Sequence, residues 1–165
     1  MTVRKARGDD LPALGTIEAS AAQLFRGTAM EFAIDDPPLG RDILEAALAG
    51  ETLWIADQRK ARAGFLCGRA LGDELYIEEL AVAAEFQGFG LGRALMESCI
   101  AEARERFAGV SLTTDRELPW NGPFYATLGF VDYADPPPAI AAKLEEEIAA
   151  GFDPDRRCAM VLRFG

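Results

Sequence analysis

The chain reads as an α/β fold, with a mixed, mostly antiparallel central sheet of about six or seven strands flanked by helices on both faces. Three observations predict it. Strand-like runs and helical stretches alternate along 165 residues with no internal repeat or linker between them. Two of the runs are joined by a tight polar turn, which makes them antiparallel neighbours. A third run, Leu75–Val82, is nearly continuous in apolar residues, as a central strand covered on both sides should be.

Taken in order, Thr2–Ala6 alternates well enough for a short first strand. Asp9 or Asp10 then caps a helix running to about Phe25, with Pro12 tolerated in its first turn. Arg26–Gly40 contains Asp35-Asp-Pro-Pro38 and reads as a loop; its two aspartates either meet a cation or cap the turn before the prolines. Arg41–Ala49 is a short helix stopped by Gly50. Thr52–Asp57 and Ala61–Ala70 are strands of a hairpin turned by Gln58-Arg-Lys60, and Leu75–Val82 follows. The next helix, Arg93–Phe107, places Met96, Ile100, Ala103 and Phe107 on one stripe with Leu95 and Cys99 beside it, and a Glu102–Arg106 pair opposite. Val110–Thr114, Gly129–Tyr133 and Cys158–Phe164 supply the remaining strands. Between the last two, Asp135-Pro-Pro-Pro138 opens an insertion with a helix over Ala139–Ala150, and Gly151-Phe-Asp-Pro154 turns back. The length suits a single domain over residues 1–165.

Composition narrows the classes. Half the residues are hydrophobic and 27% are charged, ordinary for a soluble globular chain. No apolar stretch approaches the ~18 residues of a membrane span, and Met-Thr-Val-Arg-Lys-Ala lacks the apolar region of a signal peptide. Cys67, Cys99 and Cys158 are odd in number and widely spaced, so they read as reduced core residues of a cytoplasmic protein. The absence of histidine excludes Ser-His and Cys-His dyads and the usual His-containing zinc sites, and no metal site is expected. The net charge of −10 argues against nucleic acid as a partner. It suits either a cationic acceptor such as an amine or the ordinary needs of solubility.

Chemistry concentrates first in Gln87-Gly-Phe-Gly-Leu-Gly-Arg93, a glycine-rich run between a strand and a helix. A glycine loop opening a helix presents unpaired backbone N–H groups that favour phosphate oxygens. The dinucleotide fingerprint needs G-x-G-x-x-G, and the nucleotide P-loop needs a Gly-Lys pair; the chain has neither. Gly88, Gly90 and Gly92 allow positive φ and close approach of the main chain to a pyrophosphate. A flexible strand-to-helix turn is the plain structural alternative. The second element is Trp120-Asn-Gly-Pro-Phe-Tyr-Ala-Thr-Leu-Gly-Phe130, where Asn121 and Pro123 also suit a helix start, Gly129 its end, and Tyr125 a core position.

The two elements together, in this order, resemble the GNAT N-acetyltransferase superfamily. Gln87-x-x-Gly90-x-Gly92 matches its acetyl-CoA pyrophosphate loop, and Tyr125, Gly129 and Phe130 match its Tyr-x-x-x-Gly-Phe element. Asn121 stands closer to the tyrosine than in many members. The resemblance extends more loosely over most of the chain and implies the GNAT fold, acetyl-CoA as cosubstrate and a possible homodimer. It implies that Gln87, Gly88, Phe89, Gly90, Leu91, Gly92 and Arg93 hold the pyrophosphate. Leu80, Ala81 and Val82 would pair with the pantetheine arm through their backbone, and Asn121 and Phe124 would lie on the cofactor side.

Glu78 and Glu79 interrupt the apolar strand, and glutamate is rarely buried unless paired. Neighbouring residues point to opposite faces, so both reach one cleft only if a bulge intervenes. Either one fits a base acting through water on an acceptor amine; each also fits a salt bridge or a solvated strand end. The resemblance implies Tyr125 as the acid that protonates the CoA thiolate and the Val82 N–H as the oxyanion donor. Cys67 has no accompanying base that would make it an acyl carrier. The expected activity is acetyl transfer to a small-molecule amine. Acetylation of a protein N-terminus or lysine is the alternative, and a non-catalytic acyl-CoA sensor is the alternative from another class.

Overall fold

A computed structural model describes residues 1–165. Seven strands, β1 (Thr2–Lys5), β2 (Leu53–Gln58), β3 (Ala61–Leu71), β4 (Glu74–Val82), β5 (Gly109–Asp115), β6 (Val131–Asp132) and β7 (Arg157–Arg163), form one sheet in the order β1-β2-β3-β4-β5-β7-β6. The β1–β2, β2–β3, β5–β7 and β6–β7 pairs are antiparallel, whereas β4 and β5 run parallel. Five α-helices accompany them: α1 (Leu11–Ala22), α2 (Arg41–Ala49), α3 (Leu91–Arg106), α4 (Gly122–Thr127) and α5 (Pro138–Ala149). The mixed, mostly antiparallel sheet agrees with the sequence. The parallel pairing is short, with Glu74–Tyr76 opposite Gly109–Ser111. By compactness the chain divides into residues 1–69 with 78–102, and residues 70–77 with 103–165.

In the first unit, Leu11, Leu14 and Ile17 of α1 and Leu44 and Ala47 of α2 pack with Leu53, Ile55, Phe65, Cys67 and Ala81 from β2, β3 and β4. The i, i+3, i+6 spacing of the α1 residues gives that helix its buried stripe. On α3, Leu95, Met96 and Cys99 are fully buried, as their place on the apolar side of the helix predicts. One expectation about a helix end needs correction. Asp10 stands at the start of α1 without capping it, because its carboxylate is occupied elsewhere: it accepts the Arg7 N–H at 2.7 Å and binds Arg4 and Arg62. Charge-assisted bonds to two guanidinium groups outweigh a neutral cap. α2 ends at Ala49 with Gly50 at its C-cap, as expected; Gly50 keeps a helical φ of −81°, and the left-handed residue is Glu51 at φ 57°.

The second unit is built on the β5–β7 ladder, in register from Gly109 opposite Arg163 to Asp115 opposite Arg157. Gly109 fits there because a Cβ would lie 2.8 Å from the Leu162 carbonyl oxygen. Ile140 of α5 packs on Tyr76 and Ala159, with Leu71, Tyr133 and Leu144 around them. A polar chain runs beside this cluster. Tyr76 Oη lies 2.8 Å from Thr113 Oγ1, which donates to Glu147, and Glu147 pairs with Arg157 at 2.6 Å. The helix expected in the proline-led insertion is present as α5, and the β6 strand is shorter than its sequence suggests.

Candidate active site

The glycine loop has the shape its sequence predicts. Gly88 and Gly90 adopt φ of 84° and 82°, a region that side chains disfavour, and a Cβ on either would face open space. Neither is there to avoid a clash, so the requirement is on the backbone conformation. Gly92 differs: it falls in the first turn of α3, which begins at Leu91 and not at Arg93 as expected. The Gly90 carbonyl accepts the Ala94 N–H at 3.0 Å, so the N–H groups just after Gly90 open the helix without intrahelical partners. The Gln87 side chain turns inward, its Nε2 donating to the Val82 carbonyl at 2.9 Å. Gln87 therefore ties the loop to the end of β4, while Phe89 stands 54% exposed at its tip.

Beneath the loop, β4 is held against β3. The Ala83 N–H donates to the Ala63 carbonyl at 2.8 Å, and Gly64 faces Ala81 so closely that a Cβ there would meet its carbonyl oxygen at 2.8 Å. Ala81 belongs to the core, whereas Leu80 and Val82 are only half-buried.

Glu78 and Glu79 have different partners within this unit. Glu78 pairs with Arg69 at 2.9 Å, its side chain 8% exposed. Glu79 shares a hydrogen bond with Glu18 of α1. Two carboxyl groups this close disfavour each other's charge. Burial raises the Glu18 carboxyl above its ordinary 4.5, against the opposing pull of the Leu39 N–H, which donates to Glu18 Oε2 at 3.0 Å. Arg69 leaves β3 on the same face as Cys67, two residues before it, and Cys67 packs with the buried stripe of α1. Both glutamates are thus drawn towards one face, contrary to the strict alternation of a regular strand. Cys67 feels the result. Burial, reinforced by the charges of Glu78, Glu79 and Glu18, pushes its thiol up to about 12, which keeps it protonated and unreactive.

Neither Glu18 nor Arg69 stands out in the sequence as a site residue. For Glu18 a signal existed: it lies four residues after Leu14, at the margin of an otherwise apolar stripe. Nothing local marks Arg69.

Tyr125, Phe124 and Asn121 lie in the second unit. Asp115 at the end of β5 organises their approach. Its carboxylate accepts the Glu117 and Leu118 N–H groups, both at 2.8 Å, and binds Arg156 at 2.9 Å. Burial alone would raise this carboxyl; Arg156 and the two backbone donors outweigh that and hold it below the usual carboxylate range. Gly122 then presses on the turn, where a Cβ would lie 2.9 Å from both the Asp115 and Arg116 carbonyl oxygens. Asn121 occupies the N-cap position of α4, but its side chain makes no capping bond. Tyr125 is 9% exposed, with its ring edge-on to Phe124 and Phe130 at 5.2 and 5.8 Å. Gly129, at φ 98°, ends the helix as expected and lets the Phe130 N–H return to the Tyr125 carbonyl.

A family model described as an acetyltransferase (GNAT) domain matches residues 49–132, just over half of the chain. Crystal structures of similar fold include the ribosomal-protein-S18-alanine N-acetyltransferase of Escherichia coli, 23% identical with a TM-score of 0.68, covering 98% of this chain and 92% of that one. Another is the ribosomal-protein-alanine N-acetyltransferase of Brucella melitensis, at 17% and 0.69, covering 99% and 100%. The PaiA N-acetyltransferase of Thermoplasma acidophilum, solved in complex with coenzyme A, matches at 14% and 0.70, covering 99% and 98%. The chain belongs to the GNAT acetyltransferase family. Its class is that of an acetyl-CoA-dependent N-acetyltransferase.

Proposed function

We propose that the protein transfers the acetyl group of acetyl-CoA to the amine of a small molecule by direct attack, with no acyl-enzyme. The observation that carries this reading is the Gln87–Arg93 loop, whose two left-handed glycines and helix-opening N–H groups suit a pyrophosphate. In this reading the pantetheine arm runs along the backbone of Leu80, Ala81 and Val82. Leu91, Gly92 and Arg93 line the phosphates with Gly88 and Gly90, Phe89 stands at the tip of the loop, and Gln87 shapes it; the family resemblance assigns Asn121 and Phe124 to the cofactor as well.

Glu79 is the better base. Glu78 already neutralises Arg69, whereas Glu79 is hydrogen-bonded to another carboxyl group, that of Glu18, a neighbour that favours uptake of a proton. An acceptor ammonium loses a proton through water to Glu79; its nitrogen attacks the thioester carbon, and the C–S bond breaks as the amide forms. The Val82 N–H supports the oxyanion. Tyr125 gives its phenolic proton to the departing thiolate, whose own acid has a pKa of roughly 8.5 by analogy with cysteine. As the C–S bond breaks the attacking nitrogen gives its second proton to water, and that proton restores the Tyr125 phenol. Orientation of the two substrates supplies most of the rate.

A second reading, acetylation of a protein N-terminus, is favoured by one observation: two of the structures similar in fold are ribosomal-protein-alanine N-acetyltransferases. Release of CoA from acetyl-CoA, followed over a panel of small amines and alanine-initiated peptides, separates the two. We expect turnover on a small amine, with Tyr125→Phe and Glu79→Gln each lowering kcat by about 10²-fold. Turnover on peptides alone favours the second reading. Acetyl-CoA binding without turnover on any acceptor makes the protein a sensor, and an unaffected Tyr125→Phe removes the assigned acid.

A further inference from the structure

The β2–β3 hairpin closes through a two-residue turn, with Gln58 paired to Ala61 and both intervening residues at positive φ: Arg59 at 51° and Lys60 at 62°. This is the geometry normally given to Asn-Gly or Gly-Gly, because only such residues adopt it without strain. Two long cations here are locally unfavourable, and backbone strain held at one place in a fold marks a functional demand. The turn is not remote. Arg59 lies with its guanidinium carbon 6.0 Å from the ring centroid of Phe89, at the tip of the glycine loop. Both cations are exposed, and the salt bridges of this unit engage Arg4, Lys5, Arg7, Arg41, Arg62 and Arg69 instead. On a chain of net charge −10, two solvent-facing cations beside a phosphate loop are a local reversal of sign.

We propose that Arg59 and Lys60 recognise the 3′-phosphate of coenzyme A and that Phe89 stacks on its adenine. The inference rests on the reading that the Gln87–Arg93 loop holds the cofactor pyrophosphate. A pyrophosphate alone is common to CoA and dephospho-CoA, so the loop cannot distinguish them; the turn does. Arg59 offers the planar fork that matches phosphate, Lys60 a second point charge, and the exposed Phe89 face a surface for a base.

The test is calorimetric binding of CoA and of dephospho-CoA to the intact protein at fixed salt. The wild type should bind CoA about tenfold more tightly than dephospho-CoA, the scale of one or two charge-assisted contacts. The double substitution Arg59→Asn, Lys60→Gly should bring the two affinities together through weaker CoA binding, leaving dephospho-CoA nearly unchanged. The same variant should melt at a higher temperature than the wild type, because the turn is relieved of strain, so its lost preference is not ascribable to damage. A preference for CoA that survives in this variant and in Arg59→Ala, Lys60→Ala would overturn the proposal, as would equal binding of both ligands by the wild type. If the wild type binds neither ligand, the cofactor reading of the loop fails and takes this assignment with it.

Discussion

Asp10 and Glu18 are two carboxyl groups of the first unit whose protonation the fold shifts, and it shifts them in opposite senses. The Asp10 carboxylate is fully buried, and its bond to Arg4, then those to Arg62 and the Arg7 N–H, overcome desolvation and hold it far below the usual carboxylate range. A lowered folded value means stability that is present above the unfolded value near 4 and lost as pH falls towards the folded one. Asp10→Asn should therefore cost about 2–3 kcal/mol at pH 7 in urea denaturation, with the deficit shrinking below pH 4. Glu18 is raised, so its contribution is full below about 4.5 and is lost as pH climbs through the folded value. Glu18→Gln keeps an acceptor for the Leu39 N–H and removes the charge. Its stability relative to wild type should rise between pH 4 and pH 7; a flat difference would refute burial as the cause.

At the scale of elements, β4 is the strand on which the proposed chemistry depends, and β3 sets where it lies. Gly64 lets the two strands approach, with a Cβ there meeting the Ala81 carbonyl oxygen at 2.8 Å and Val82 Cγ2 at 3.2 Å. Backbone cannot give way as a side-chain tip can. Gly64→Ala should cost about 1–3 kcal/mol and raise the KM for acetyl-CoA, because the displaced segment is the one assigned to the pantetheine arm. A variant that loses stability but keeps its KM would separate the strand's structural role from the assigned one. The elements themselves were legible: helix stripes, the hairpin and the glycine loop are short-range patterns. Their exact ends were less so. α3 begins at Leu91, two residues before the Arg93 start the sequence suggests, because the Gly90 carbonyl already accepts the Ala94 N–H and opens the helix there.

For the molecule as a whole, each unit carries one buried aspartate held ionised by arginine: Asp10 with Arg4 and Arg62, and Asp115 with Arg156. Both are held below their ordinary values, so both contribute stability that acid removes. The midpoint temperature should fall steeply from about pH 5 to pH 3, and the Asp10→Asn, Asp115→Asn double variant should show a flatter curve from a lower plateau. An equally steep fall in that variant would place the acid sensitivity elsewhere. No helix is long and apolar enough to cross a membrane, and none of the buried cysteines is bridged.

The sequence by itself determined the mixed sheet, the family and the conformation of the glycine loop, because these are written in spacings a few residues long: Gln87 to Gly92, Tyr125 to Phe130, the apolar period of α3. It also singled out Glu78 and Glu79 as anomalies in an apolar strand. Only the tertiary structure decided that Glu78 answers to Arg69 and Glu79 to Glu18, and that Asp10 is gripped by Arg62, 52 residues away, instead of capping a helix. The same holds for Arg59 beside Phe89. The physical reason is the range of the interaction. Periodicity and backbone conformation act within a turn or two of chain, whereas the partner of a charge is whatever the folded sheet brings within a few ångströms of it, and that proximity has no local signature.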